Sequence, residues 1–214
     1  MAINERQRQK RLEAQKKKRK LVAKGSAGGL AAGRHALHYA RFPIHECLVS
    51  ERLFETGLGT LIWSRRMPDG MLAITAFVVD VYCLGVKDAL FKVASEKAYE
   101  NLIKPGLIAT HKDQAWQAGE PAYARKLLQG AIRYAEQMGF APQGDYQNAK
   151  GIFGDVDALA CSTEFEYGRG GQPCYIRGPQ ESDARAQRIV DQLLNNCGAG
   201  GFTYQAMRDD GLAG

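Results

Sequence analysis

The chain has 214 residues, of which 45% are hydrophobic, 24% charged and 9% aromatic, and its formal charge is +6. That length and apolar fraction suit one folded domain with a core; they exclude a wholly disordered chain, a collagen-like repeat and a disulfide-scaffolded mini-protein. No run approaches the roughly 18 apolar residues that a membrane-spanning helix requires, so no membrane partner is expected.

The charge is unevenly spread. Residues 1–24 hold ten basic side chains (Arg6, Arg8, Lys10, Arg11, Lys16, Lys17, Lys18, Arg19, Lys20 and Lys24) against Glu5 and Glu13, a formal +8. The other 190 residues carry 19 Lys/Arg and 21 Asp/Glu, a formal −2. Apart from Met1, the large apolar residues of this arm are Ile3, Leu12, Leu21 and Val22, too scattered to form a buried helical stripe. The arm also lacks the apolar stretch of a secretory signal. It is expected to be a flexible electrostatic tether to RNA or a ribonucleoprotein, because each phosphate neutralised by Lys or Arg releases condensed counterions. A solvated tail is the alternative. The run Lys16 to Lys20 also fits a nuclear localisation signal in a eukaryotic setting. Residues 25–33, with four glycines in nine positions, are expected to be a flexible linker to a single globular domain spanning 34–214.

His35 to Arg41 reads as a short helical turn ended by Pro43. Ile44 to Ser50 reads as a strand, and Thr60 to Met67 as a second. Pro68-Asp69-Gly70 supplies the residues of a tight hairpin turn. The apolar, β-branched run Met71 to Leu84 reads as a central strand covered on both faces. Lys87 to Ile103 then reads as a helix stopped at Pro105-Gly106. From Pro121, apolar residues at 3.6-residue spacing (Ala124, Leu127, Leu128, Ala131, Ile132, Ala135, Met138) predict a strong helix closed by Gly139-Phe140 and Pro142. Asp145 opens a shorter one that buries Ala149, Ile152 and Phe153. Glu164 to Tyr167 and Cys174 to Arg177 read as a second hairpin around Gly168-Arg169-Gly170-Gly171. Ser182 or Asp183 starts a last helix ended by Gly198. The order βββ-α-α-α-ββ-α defines an α+β fold: an antiparallel sheet of hairpins (meander 44–84, second hairpin 164–177) with helices packed on one side.

The five cysteines (Cys47, Cys83, Cys161, Cys174, Cys197) include no Cys-x-x-Cys pair, and their odd number points to a reducing compartment, the cytoplasm. Cys47 and Cys83 sit in apolar runs and are expected to be buried small hydrophobes. The most pointed chemical cluster lies at the end of the central strand. There Cys83 would be a nucleophile beside Lys87 and Asp88, with His45 on a neighbouring strand as its base. In the plainer reading Cys83 fills core space, Asp88 caps a helix and Lys87 is solvated. His35, His38, His45 and Cys47 lack the paired spacing of a zinc site. Asp155, Asp157, Glu164 and Glu166 imitate a calcium loop, but Leu159 and Ala160 stand where a ligand and the turning glycine belong. No metal or cofactor is expected. Arg169, with Tyr167, Tyr175 and Arg177, and the pair Arg65-Arg66 are candidate RNA contacts on the folded body. Three functions follow in order: a non-catalytic RNA- or ribonucleoprotein-associated protein, a small cytosolic enzyme at Cys83/Lys87/Asp88/His45, and a protein–protein adaptor acting through the body.

Overall fold

A computed structural model describes residues 36–109, 115–178 and 181–206. The predicted arm and linker, and His35 with them, lie outside the described residues.

After a 3-10 turn at Ala36–Tyr39 come β1 (Ile44–Ser50), a helical turn α1 (Leu53–Thr56), β2 (Leu58–Arg66), β3 (Met71–Asp80) and β4 (Gly85–Ser95). A continuous helical run, α2, follows as an α-turn at Glu96–Ala98, a π-turn at Tyr99–Ile103 and a second α-turn at Lys104–Ile108. Then come β5 (Trp116–Ala118), α3 (Pro121–Gln137), α4 (Tyr146–Ala149), β6 (Cys174–Arg177), α5 (Asp183–Cys197) and β7 (Thr203–Ala206). The main sheet has the order β4-β3-β2-β1-β5, antiparallel throughout, so the fold is α+β around a meander. At its β2–β3 hairpin, Gly70 takes φ +78°, and the Met67 N–H bonds the Met71 carbonyl at 2.8 Å, as Pro68-Asp69-Gly70 predicts.

Two of the expected elements are not present among the described residues. Residues 85–95 form a fourth meander strand where a helix is expected from Lys87. Their apolar side chains fit helical spacing, yet Val86, Ala89, Phe91 and Val93 pack on one face of the sheet and Leu90 and Ala94 on the other. A strand covered on both faces loses its clean alternation, and the open ladder of β3 supplies it with a partner. The second hairpin does not form either. Residues 164–167 make no ladder, and β6 pairs in parallel with β7 in a separate two-stranded sheet.

Helices cover both faces of the main sheet, not one. Ala73, Phe77 and Val79 of β3 meet Ala124, Leu127 and Ala131 of α3. Leu72, Ile74 and Ala76 point the other way, as strand alternation requires, and meet Tyr99, Ile103 and Leu107 of α2. A third cluster joins Cys83, Leu84, Met138 and Tyr175 to Ala186, Ile189 and Leu193 of α5.

The helix ends follow the sequence closely. The Phe140 N–H reaches the Ala135 carbonyl and the Gly139 N–H the Glu136 carbonyl, both at 3.0 Å, which is the paired closure expected at 139–140. Ser182 Oγ accepts from the Arg185 N–H at 3.3 Å and caps α5. Asp145 differs from its expected role: its carboxylate accepts from the Asn148 side chain and bonds no backbone N–H of α4.

Inside α3, a methyl group on Gly130 would stand 2.1 Å from the Tyr167 hydroxyl oxygen, whereas one on Gly106 of α2 would meet nothing within 4 Å. The two glycine-to-alanine changes should therefore have opposite signs in urea denaturation. Gly106→Ala gains roughly 0.5–1 kcal/mol from helix propensity, while Gly130→Ala loses about 1–3 kcal/mol because overpacking outweighs that gain.

Candidate functional site

β3 ends in a tight turn at 81–84. The Asp80 carboxylate, 5% exposed, accepts the Tyr82 N–H at 3.0 Å and the Cys83 N–H at 2.9 Å. Burial pushes the Asp80 carboxyl up to about 6, against the opposing pull of Lys87 and of the backbone N–H groups. Cys83 is fully buried. Burial, and then the neighbouring Asp80 carboxylate, push its thiol well above the ordinary range, so it offers no thiolate for catalysis. It is the buried small hydrophobe of the plainer reading, as is Cys47, whose thiol burial raises to about 12.

His45 is not in reach of Cys83. The β1–β2 register slips by one residue between Ile44↔Arg65 and Glu46↔Ser64, which leaves His45 as the extra residue of a β-bulge. A second bulge lies in β4, where Val86 pairs with Val79 and Asp88 with Val78, so Lys87 is the extra residue there. Counting residues along and across the ladder separates the two bulges by about 20 Å. His45 Nδ1 lies 2.9 Å from Arg66 Nη2 instead. Asp88 caps no helix: it stands on β4, exposed, with Oδ1 on the Ala89 N–H at 2.9 Å. The four proposed catalytic residues therefore form no single site.

The basic candidates on the body are mostly consumed by the fold. Arg65 is 4% exposed and donates to three backbone carbonyls, Ile152 at 2.7 Å, Phe42 at 2.6 Å and Phe153 at 3.0 Å. Arg66 holds Glu96 through both terminal nitrogens, at 2.7 and 2.6 Å. Tyr167 donates to the Leu127 carbonyl, Tyr175 is fully buried with its hydroxyl on Glu181, and Arg177 binds the Glu181 carbonyl and Asp183. Arg169 stays exposed, but Glu164 and Glu166 share its groove. Of the calcium-like acids, Asp157 caps a 3-10 turn at the Leu159 N–H and Glu164 pairs with Lys126. Among the described residues no three His, Cys, Asp or Glu side chains gather to hold a metal ion.

Lys87 leads to a site that the sequence reading missed. Its ammonium lies 3.2 Å from Glu181 Oε1, with both side chains nearly buried. Glu181 Oε1 is also 3.8 Å from Arg185 Nε. Burial works against the charge on Glu181, but the Gly178 N–H, the Tyr175 hydroxyl and Lys87 outweigh it and hold its carboxyl below the usual range. Beside this cluster opens a cleft of about 300 Å³ with Leu84, Phe140 and Ile189 as apolar lining and Lys87, Arg185 and Arg188 as cations. Arg185 and Arg188 are three residues apart on α5, the spacing that puts side chains on one helix face. That spacing was the available signal; the approach of α5 to β4 was not visible locally.

A polar network on the other face is partly buried. The Glu46 carboxylate accepts the Tyr99 O–H at 2.5 Å and the Lys104 ammonium at 2.6 Å. Burial and Glu46 raise the Tyr99 phenol far above its ordinary value, so this network ties α2 to β1 and offers no acid at neutral pH. No helix among the described residues is long and apolar enough to cross a membrane. Comparison of the chain with protein-family models, curated proteins and solved structures finds no match.

Two outcomes follow. Arg65→Met should cost about 3–5 kcal/mol in chemical denaturation, because three carbonyls lose a charged donor in the interior; a loss below about 1 kcal/mol would contradict that role. Asp80 binds its proton more tightly folded than unfolded, so its contribution to stability falls as pH rises from about 4 through about 6. Asp80→Asn keeps an oxygen acceptor but cannot ionise. Its stability relative to the native chain should rise by about 2–3 kcal/mol across that window, whereas a constant difference would show no raised proton affinity.

Proposed function

We propose that the protein is an RNA- or ribonucleoprotein-associated binding protein, non-catalytic and held to its partner by the basic N-terminal arm. The observation that carries this reading is the separation of charge: +8 in residues 1–24 and −2 in the remainder. The body supports it indirectly. Among the described residues about half of its cationic side chains are spent on carbonyls and carboxylates, and its acids outnumber its bases, so the densest attraction for a polyanion resides in the arm. The enzyme reading loses its basis, since Cys83 is buried and His45 lies far from it. A reducing, cytoplasmic setting fits five cysteines that are all free thiols. An adaptor role for the body is compatible with an RNA tether but has no surface of its own to argue from.

Fluorescence anisotropy on a single-stranded RNA at stepped salt concentrations tests the reading with the full-length chain. Six to eight phosphate contacts would give a log–log salt slope of about −4 to −6. Replacing Lys16, Lys17, Lys18, Arg19 and Lys20 with Gln should flatten that slope by about 3 and weaken binding at low salt by at least about tenfold. Equal affinity and slope for the substituted chain would overturn the proposal.

A further inference from the structure

We propose that the cleft between β4 and α5 binds a nucleotide unit, its phosphate held by Lys87, Arg185 and Arg188 and its base lying against Phe140. The inference deepens the RNA reading above and rests on it only for the source of the nucleotide.

Three independent features of the chain converge on this cleft. The first is the bulge in β4. Inserting Lys87 as an extra residue turns its side chain out of the ladder's alternation, a device that re-aims single side chains beside binding sites. Without the bulge, Lys87 would take its place in the strand's regular two-face alternation.

The second is an unbalanced charge. Three cations line the cleft; Glu181 pairs with Lys87 and Arg185, and Lys87 also acts on the buried Asp80 carboxylate, so three cations stand against two carboxylates. Glu181 is already committed: its Oε1 faces Lys87 and Arg185, and its Oε2 accepts the Tyr175 O–H at 2.8 Å and the Gly178 N–H at 3.0 Å. Glu181 thus holds Lys87 and draws Arg185 toward the cleft while leaving a net positive charge, and Arg188 makes no ion pair among the described residues. An arginine fork beside a lysine suits the oxygens of a phosphate.

The third is size and lining. About 300 Å³ lies at the lower end of small-ligand sites, large enough for a mononucleotide and far too small for a helix or a folded partner. Half-buried Phe140 offers a ring for a base, and base–aromatic stacking is worth about 1–3 kcal/mol by alanine substitution. The backbone that carries the ring is fixed by the Phe140 N–H bond to the Ala135 carbonyl and by Gln192, whose amide donates to the Met138 carbonyl at 3.3 Å and to the Gly139 carbonyl. The anchoring residues thus come from rigid elements: the start of β4, the closed end of α3 and the face of α5.

The test is a titration of the full-length chain with AMP, adenosine, inorganic phosphate and a 5′-phosphorylated hexaribonucleotide, followed by calorimetry or by amide chemical shifts. AMP should bind at least about tenfold more tightly than adenosine or phosphate alone, because it engages both halves of the site. Arg188→Ala, an exposed change that leaves the Lys87–Glu181 pair intact, should weaken AMP about tenfold, and Phe140→Leu by a similar factor. Lys97→Ala, an exposed lysine on α2, should leave AMP affinity unchanged. Displacement of AMP by the hexanucleotide assigns the site to an RNA chain, and failure to displace it assigns the site to free nucleotide. Absence of AMP binding at millimolar concentration, or equal loss in Arg188→Ala and Lys97→Ala, overturns the proposal. If RNA affinity persists in that case, the arm reading survives without the cleft; if AMP binds while long RNA does not, the cleft survives without the arm.

Discussion

The carboxylate of Asp80 is the point from which the body is organised. By accepting the Tyr82 and Cys83 N–H groups, it closes a turn whose other polar groups bond two distant segments of the chain, residues 54–57 and 168–174. The Val81 N–H bonds the Gly57 carbonyl, and the Val81 carbonyl accepts the Gly168 N–H. The Tyr82 carbonyl accepts the Cys174 N–H, and the Tyr82 hydroxyl reaches the carbonyls of Phe54 and Glu55. The meander, α1, the 168–174 segment and, through Cys83 and Leu84, α5 all meet there. A buried carboxylate is expensive unless its lone pairs are satisfied, and here the donors are backbone groups that themselves need acceptors. The same turn sets the start of β4, so the bulge at Lys87 and the cleft beside it inherit their positions from Asp80.

Charge is used in two ways along this chain. In the body, ion pairs and charge-assisted bonds knit distant segments together: Arg65 joins β2 to the 152–153 carbonyls, Lys104 joins α2 to β1, and Lys126 joins α3 to the 161–164 segment. Such groups are locked in short-range contacts and project little field. In residues 1–24 the sequence instead concentrates one sign of charge, with ten cations and two acids. The cleft at Lys87, Arg185 and Arg188 stands between these extremes, a fixed positive site on a nearly neutral surface. In the proposed function, an arm that raises the local concentration of a polyanion would complement a cleft that selects one unit of it.

The meander was legible because its signals are local. Pro68-Asp69-Gly70 specifies a turn, and the runs on either side alternate or are continuously apolar in the manner of strands. The helix α3 was legible for the same reason, down to its closure at Gly139-Phe140. The errors share another cause. Whether 85–95 is helix or strand is decided by the empty edge of β3, which no window of the sequence contains. Residues 164–167 alternate like a strand, yet their neighbourhood bonds to the turn at 81–82 and stacks Phe165 on Phe54 at 5.5 Å instead of building a ladder. Among the site residues, Arg65 and Arg66 look alike in sequence. Strand alternation sends one into the interior toward carbonyls nearly ninety positions away and the other to Glu96 on the opposite face. Bulges change neither composition nor pattern, so the aim of Lys87 and the isolation of His45 required the register itself.

Amide hydrogen exchange on the full chain, native against Asp80→Ala, addresses the organising role of that carboxylate most directly. The Tyr82 and Cys83 amides should be among the slowest to exchange, and the substitution should deprotect them together with Gly168 and Cys174 while the β1–β2 ladder keeps its protection. Deprotection confined to residues 81–83, with Gly168 and Cys174 unaffected, would contradict it.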